Sequence, residues 1–227
     1  MMIGAMELTV SKEDYLKAIA EAEAEEGRVI AATLGRWLKV SAPAVALALR
    51  RLKRDKLVWV DARGRILLTK AGRQVADKLR LRHHLIERML HETLGLEWYK
   101  VHEEAERLEH SISEDVEQKL IEKLGPAGLC PHGNPIQKGA AERRKAGLTP
   151  LAEAEEGREL RVAGMQERDQ KLLEYFDQLG LRPGARLEVK RRNYDGTLSL
   201  AVAGRAVTLA APAAAQVWVA APGCESR

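Results

Sequence analysis

The sequence predicts a mixed α+β chain whose helices come first and whose strands come mostly last. Helical apolar spacing runs through residues 13–55 and resumes through 72–124, a short alternating pattern fills 57–69, and several strand-like runs follow residue 159. Elements segregated in this way belong to α+β folds rather than to alternating βαβ units. The 227 residues suffice for two domains or three small ones. Apolar residues at 45% and charged residues at 31% describe a globular chain, and a single Phe leaves its cores to Leu, Val, Ile and Ala.

The first predicted helix, 13–25, carries Leu16, Ile19 and Ala20 on one side. A short second helix, 30–38, stops at Lys39-Val40-Ser41. Ser41 is a suitable N-cap for the third helix, with Pro43 in the first turn, where proline costs nothing. That helix runs to about Asp55 with Val45, Leu49 and Leu52 inward. Leu57–Asp61 and Ile66–Thr69 then read as a hairpin turning at Gly64. Helix-turn-helix followed by a hairpin is a winged helix-turn-helix, a DNA-binding arrangement.

Residues 72–124 are mostly helical, and Leu79, Leu81, Leu85, Ile86, Met89 and Leu90 give them an apolar face broad enough for a subunit interface. Residues 125–135 form a Pro/Gly-rich loop, and 137–158 read as a linker. After 159 one helix (169–178) and runs at 186–191, 197–202, 207–209 and 216–219 predict a small β-barrel. The expected domains are therefore 1–75, 76–136 and 159–227 around that linker.

A net charge of +4 says little about nucleic acid, but its distribution says more. Arg50, Arg51, Lys53 and Arg54 cluster on the third helix, and Arg63 and Arg65 flank the hairpin turn. Basic groups so placed are suited to the phosphates beside a major-groove helix. The front of that helix offers few hydrogen-bond donors, so readout there rests on Ser41, on apolar contact with thymine methyls, or on DNA shape. The expected DNA-contacting residues are Ser41, Pro43, Ala44, Leu47, Arg51, Arg54, Arg63 and Arg65.

Cys130 and Cys224 make no disulfide framework, no apolar run reaches the ~18 residues of a membrane span, and the start lacks signal-peptide character, so a cytoplasmic protein is expected. The densest chemistry lies at His102, Glu106, Glu109 and His110. At ~100° per residue these four share an arc of roughly 100° on one helix. His83 and Glu87 form a second pair at helical spacing. Imidazole with carboxylate suits Mn, Fe, Zn or Co better than Mg or Ca.

These blocks together carry a resemblance. Glu13-Asp-Tyr-Leu, Ser41-Ala-Pro-Ala-Val, Leu57-Val, His83-His-Leu-Ile-Glu-Arg, Val101-His-Glu-Glu-Ala-Glu-Arg-Leu-Glu-His and Pro131-His-Gly-Asn-Pro-Ile resemble the DtxR/MntR family of metal-dependent transcriptional repressors. The C-terminal part resembles that family's FeoA-like small barrel. The resemblance implies a primary, activating metal site at Asp14, Glu106, Glu109 and His110, and an ancillary site at His83, Glu87 and His102. Glu167 and Gln170 match a barrel Glu-x-x-Gln spacing of iron-sensing members, and Cys130 is a further candidate ligand. Asp14 and Glu106 stand where the iron-sensing branch has Met and Cys, which favours Mn(II); Lys17 stands where the short manganese sensors carry another carboxylate. The reading is a homodimeric repressor of metal-uptake genes that binds double-stranded operator DNA. Its activator is Mn(II), with Fe(II) as the alternative and Zn(II), Co(II) or Cd(II) as surrogates; no membrane or small-molecule substrate is involved. Its rivals are a metal-independent winged-helix regulator and a metallohydrolase built on His102, Glu106 and His110, for which there is no nucleophile motif, phosphate loop or His-Glu-x-x-His.

Overall fold

Helix α1 (Val10–Glu26) forms where Leu16, Ile19 and Ala20 fall on one side, and all three are buried. The computed structural model describes residues 9–126, 128–136 and 139–222, so Cys224 lies outside the described residues. It comprises two units, residues 1–82 with 139–141 and residues 83–138 with 142–227.

In the first unit α1 packs on α2 (Ala31–Leu38) and α3 (Ala42–Arg54). Ser41 caps α3 as expected: its hydroxyl accepts the Ala44 amide at 3.4 Å, and Pro43 sits in the first turn. Val45 and Leu52 are fully buried, while Leu49 is half-buried. Lys12 Nζ reaches Asp55 Oδ2 at 2.8 Å and ties the start of α1 to the end of α3. Strands β1 (Val58–Val60) and β2 (Ile66–Leu68) pair antiparallel with Trp59 opposite Leu67. Gly64 makes the turn at φ 73°, a conformation that favours glycine. Asp61 Oδ1 accepts the amides of Arg63 and Arg65 at 2.9 and 2.8 Å, which fixes both arginines at the wing tip.

Helix α4 (Lys70–Arg88) leads the chain into the second unit and closes with a π-helical segment, Met89–Thr93. Helices α5 (Val101–Leu108) and α6 (Glu114–Leu124) follow. The expected single helix carrying all four ligands is therefore interrupted. Helix α5 ends at Leu108, Glu109 is its C-cap and His110 lies in the turn, because Ser113 caps a new helix by accepting the Val116 amide at 3.3 Å.

The stretch read as linker holds structure of its own. Helix α7 (Ala140–Lys145) leads to β3 (Thr149–Pro150), and Leu151 and Ala154 enter the C-terminal core. Then come β4 (Glu159–Met165), α8 (Gln170–Gln178), β5 (Arg186–Arg192), β6 (Leu198–Val202), β7 (Arg205–Leu209), α9 (Ala211–Ala214) and β8 (Val217–Ala220). The six strands order β3-β8-β4-β5-β6-β7, all antiparallel. Among the described residues β3 and β7 do not pair with each other, so the expected barrel is an open, small SH3-like sheet. Its core collects Leu173 and Phe176 of α8 with the inward residues of β4, β5, β6 and β8. Trp98 joins that core, and its indole N–H donates to Asp177 Oδ1 at 2.5 Å. No helix among the described residues is long and apolar enough to cross a membrane.

Candidate metal centre and nucleic-acid surface

Within the second unit, α4 and α5 bring His83, Glu87 and His102 together. His83 Nε2 lies 3.1 Å from Glu87 Oε1, His102 Nδ1 lies 3.0 Å from the same oxygen, and the two ring nitrogens are 3.0 Å apart. All three residues are buried, Glu87 at 1% exposure. The other nitrogen of His83, Nδ1, sits 2.6 Å from Glu109 Oε2.

This triangle has a chemical consequence. An ionised carboxylate only accepts, so His83 Nδ1 is the donor toward Glu109. A neutral His83 then aims its Nε2 lone pair at Glu87 Oε1, itself negative. The cluster demands positive charge at its centre, supplied by a proton or a metal ion. A carboxylate that accepts the far N–H of an imidazole is also the usual second partner of a metal-ligating histidine. The residues fit a divalent cation.

A second group shares Glu87. The loop Leu129–Pro135 closes through Cys130 N to Asn134 O at 2.9 Å and Gly133 N to Cys130 O at 2.8 Å. It docks on the end of β4 through Met165 N to His132 O at 3.0 Å and Asn134 Nδ2 to Met165 O at 2.7 Å. The approach needs glycine: Gly133 has φ 80°, and a Cβ there would stand 2.2 Å from Ala163 O. The loop sets Cys130 Sγ 3.4 Å from Glu167 Oε2 and 3.7 Å from His132 Nδ1. His132 Nδ1 is 3.5 Å from Glu167 Oε2 and 3.6 Å from Glu87 Oε1. Asn134 Nδ2 holds Glu167 in place at 2.8 Å.

The buried charges of the cluster perturb one another strongly. Burial pushes the Cys130 thiol well above its usual pKa, and the Glu167 and Glu87 carboxylates push the same way. Burial alone would lower His132, but Glu87 and Glu167 overcome it and hold its pKa up. Glu87 shows the opposite balance: burial raises it, yet the imidazoles of His83, His132 and His102 hold it well below the carboxylate range. His84 is lowered to about 4, chiefly by burial, and its Nε2 has no hydrogen-bond partner among the described residues.

Of the residues expected from sequence, the structure joins His83, Glu87 and His102 around one oxygen and brings Cys130 and Glu167 to the same carboxylate. Gln170 stands at the first position of α8. Glu109 is buried at 2%, His110 Nε2 is 3.6 Å from Glu109 Oε1, and Glu106 is 55% exposed with Oε1 3.7 Å from His102 Nε2. Asp14 is half-buried on α1 of the first unit, and Lys17 is buried there at 5%. Two residues were missed as site residues, His132 and Asn134. Both lie in a motif already conspicuous in the sequence, Cys130-Pro-His-Gly-Asn, where Cys and His at i,i+2 were the available signal.

On the first unit Ser41, Pro43, Ala44, Leu47, Arg51, Arg54, Arg63 and Arg65 are all exposed. Arg54 pairs with Asp55 at 3.1 Å and Arg65 with Asp61 at 3.4 Å. Leu47, 46% exposed, and Trp59, 50% exposed, are large apolar groups on the same unit.

A winged helix-turn-helix on one unit and a buried His/Glu/Cys cluster on the other define a metal-dependent DNA-binding regulator. Comparison with known proteins identifies its kin. The iron dependent repressor N-terminal DNA binding domain matches residues 7–64, the iron dependent repressor metal binding and dimerisation domain matches 69–138, and the FeoA domain matches 149–221. The iron-dependent repressor IdeR of Mycobacterium leprae is 34% identical over 196 residues, 81% of this chain and 85% of that protein. The diphtheria toxin repressor of Corynebacterium diphtheriae is 32% identical over 213 residues, 89% and 93% of the two chains. A manganese-dependent transcriptional repressor in complex with manganese has a TM-score of 0.81 at 32% identity, covering 92% of this chain and 99% of its own. The manganese regulator SloR has a TM-score of 0.73 at 30% identity, covering 93% and 99%. The chain belongs to the DtxR family of metal-dependent, DNA-binding transcriptional repressors. That family consists of repressors and not enzymes, which removes the metallohydrolase reading.

Proposed function

We propose that this chain is a cytoplasmic, homodimeric repressor activated by Mn(II) that silences genes for metal uptake, with Fe(II) as the alternative activator. One observation carries the choice of metal: Asp14 and Glu106 put oxygen where the iron-sensing branch has sulfur. Likeness alone does not decide it, since the two sequence relatives above are repressors named for iron or for diphtheria toxin and the two structures for manganese. Asp14, Glu106, Glu109 and His110 are the activating ligands that the resemblance assigns. Held to one ion, they fix the DNA-binding unit in the arrangement that matches two half-sites. The ion supplies the positive charge that draws carboxylates and imidazoles together. Dimerisation follows from the symmetry of operators. Leu81 and Met89 remain half-buried while Leu94 and Val116 stay 67% and 43% exposed, which leaves apolar surface for a partner copy.

The test is operator binding under titration with Mn(II), Fe(II), Zn(II) and Co(II), followed by a chelator. Binding appears with metal, ranks Mn(II) first in activation, and is lost on chelation; a metal-independent regulator would bind DNA throughout. Metal affinity should also weaken as the pH is lowered. Cys130 and His132 both hold their protons more tightly than usual, and ligation must displace them. Calorimetry in buffers of different protonation enthalpy counts the released protons, and a pH-independent affinity with no release would remove both residues from the ligand set.

On the DNA side, Arg51, which makes no ion pair among the described residues, should contribute more than Arg65, which Asp61 already engages. Arg51→Ala is expected to weaken binding to all sequences alike and to lower the salt slope by about one. Arg65→Ala should do less. An unchanged salt slope in Arg51→Ala would place that side chain off the DNA.

A further inference from the structure

Asp55 stands where a carboxylate is out of place. It is the C-cap of α3, and the carbonyl end of a helix carries partial negative charge, which favours cations and disfavours acids. Arg51, Lys53 and Arg54 in the last turn obey that preference. Two cations hold the acid there: Lys12 Nζ of α1 lies 2.8 Å from Asp55 Oδ2, and Arg54 Nε lies 3.1 Å from Oδ1. Oδ2 is sealed from solvent, and the Lys12 and Asp55 side chains are only 19% and 12% exposed. Salt screens a contact of this kind far less than it screens an open surface pair.

Both partners are placed to do more than hold two helices together. Lys12 lies in the first turn of α1, two residues before Asp14. The Arg73–Glu23 and Arg36–Glu26 pairs engage the other end of that helix. Asp55 lies at a closely hydrogen-bonded corner, where Asp55 N donates to Arg51 O at 3.0 Å, Lys56 N to Lys53 O at 3.0 Å and Leu57 N to Leu52 O at 2.9 Å. Lys56 is left-handed at φ 56°, and its carbonyl accepts the Thr69 hydroxyl at 2.8 Å. The end of α3 and the start of β1 therefore turn as one piece, so whatever holds the Asp55 carboxylate holds the recognition helix and the wing together. Arg54 is engaged at Nε, which leaves its terminal nitrogens for a phosphate.

We propose that the Lys12–Asp55 pair is the joint that passes metal binding on α1 to the recognition helix, with Arg54 at its DNA-facing end. Lys12 and Asp55 are positioning residues. With the pair intact, an ion that fixes Asp14 also fixes the corner. Without it, α1 still takes the ion, but α3 settles more loosely and the operator gains less from the metal. This joint presupposes the metal-repressor reading above and adds to it the residues that carry the coupling.

The test measures the Mn(II) affinity of the full chain with and without a saturating DNA duplex, selected by the wild-type protein in Mn(II) from a random-sequence pool. The ratio of the two affinities is the metal–operator coupling, and it has the same value read from either ligand. In Lys12→Met and in Asp55→Asn, Mn(II) affinity without DNA should stay within about twofold of wild type, while the ratio falls about fivefold or more. The double variant should lose no more than either single one. Lys12→Arg, which keeps a cation at the carboxylate, should retain the coupling. A pair with a merely structural role would lower the melting temperature and leave the ratio intact. An unchanged ratio in both single variants, or losses that add in the double variant, overturns the joint. Should Lys12→Met fail to fold, Lys12→Arg set against Asp55→Asn makes the same comparison, and equal ratios in those two overturn it. Coupling that survives every substitution leaves the metal-repressor reading standing, whereas a wild-type ratio of one sinks both.

Discussion

Alanine in place of Glu106 or His110 is expected to abolish metal-dependent operator binding, by ~100-fold or more, while leaving a folded dimer. Substitutions in the shell around a metal ligand already cost ~10–100-fold in affinity or activity, and loss of a ligand costs at least that. Stability should survive. The Glu106 side chain is 55% exposed, so it contributes little to packing; His110 lies in a turn beyond α5 rather than in a core cluster. The gel-shift comparison is made in saturating Mn(II), with circular dichroism and sedimentation confirming fold and dimer. Wild-type affinity in either variant would show that the activating site lies elsewhere. His83→Ala gives an informative contrast. Its ring bridges Glu109 and Glu87, at 2.6 and 3.1 Å, so its loss disturbs the orientation of an activating carboxylate without removing a ligand from that set. A partial loss of operator affinity, between wild type and His110→Ala, is the expected result.

Much of this was legible because periodicity encodes it. His83 and Glu87 at i,i+4 on α4 share a face by helix geometry alone, and the capping by Ser41 follows from local chemistry. The winged hairpin was readable from Asp61, Gly64 and the alternating strands. The break after Leu108 was harder, since nothing in Tyr99–Glu117 forbids one long helix; Ser113 decides it by offering an amide partner. His132 and Asn134 lay beyond such reasoning. They sit in an aperiodic loop, and their value depends on docking to the end of β4, where Met165 N pairs with His132 O. Glu167 is likewise carried to Glu87 and His132 by the sheet, not by sequence proximity. Openness of the sheet depends on whether β3 and β7 meet, a long-range pairing that strand patterns do not report.

The choice of metal turns on one side chain. With Asp14, Glu109 and His110 retained, Glu106→Cys would give the proposed activating set a thiolate in place of an oxygen donor. Intrinsic affinity follows the Irving–Williams order in both proteins, so Zn(II) can bind either more tightly than Mn(II). Activation is a different quantity, because it requires every ligand in the set to engage. An oxygen-rich site satisfied at higher coordination recruits Asp14, whereas an ion content with four ligands can be satisfied without it. The thiolate supplies a strong, soft ligand, so Glu106→Cys should shift activation toward Fe(II), Co(II) or Zn(II) and weaken the Mn(II) response about tenfold or more, a change of ~1.4 kcal/mol or more. The substitution is at an exposed position and leaves the cluster around Glu87 intact, so a general loss of folding would not produce a change of rank. Anaerobic titration of each metal against operator affinity, for both proteins, reads the order directly. If Mn(II), Fe(II), Co(II) and Zn(II) rank the same in both, position 106 does not set the metal to which this repressor answers.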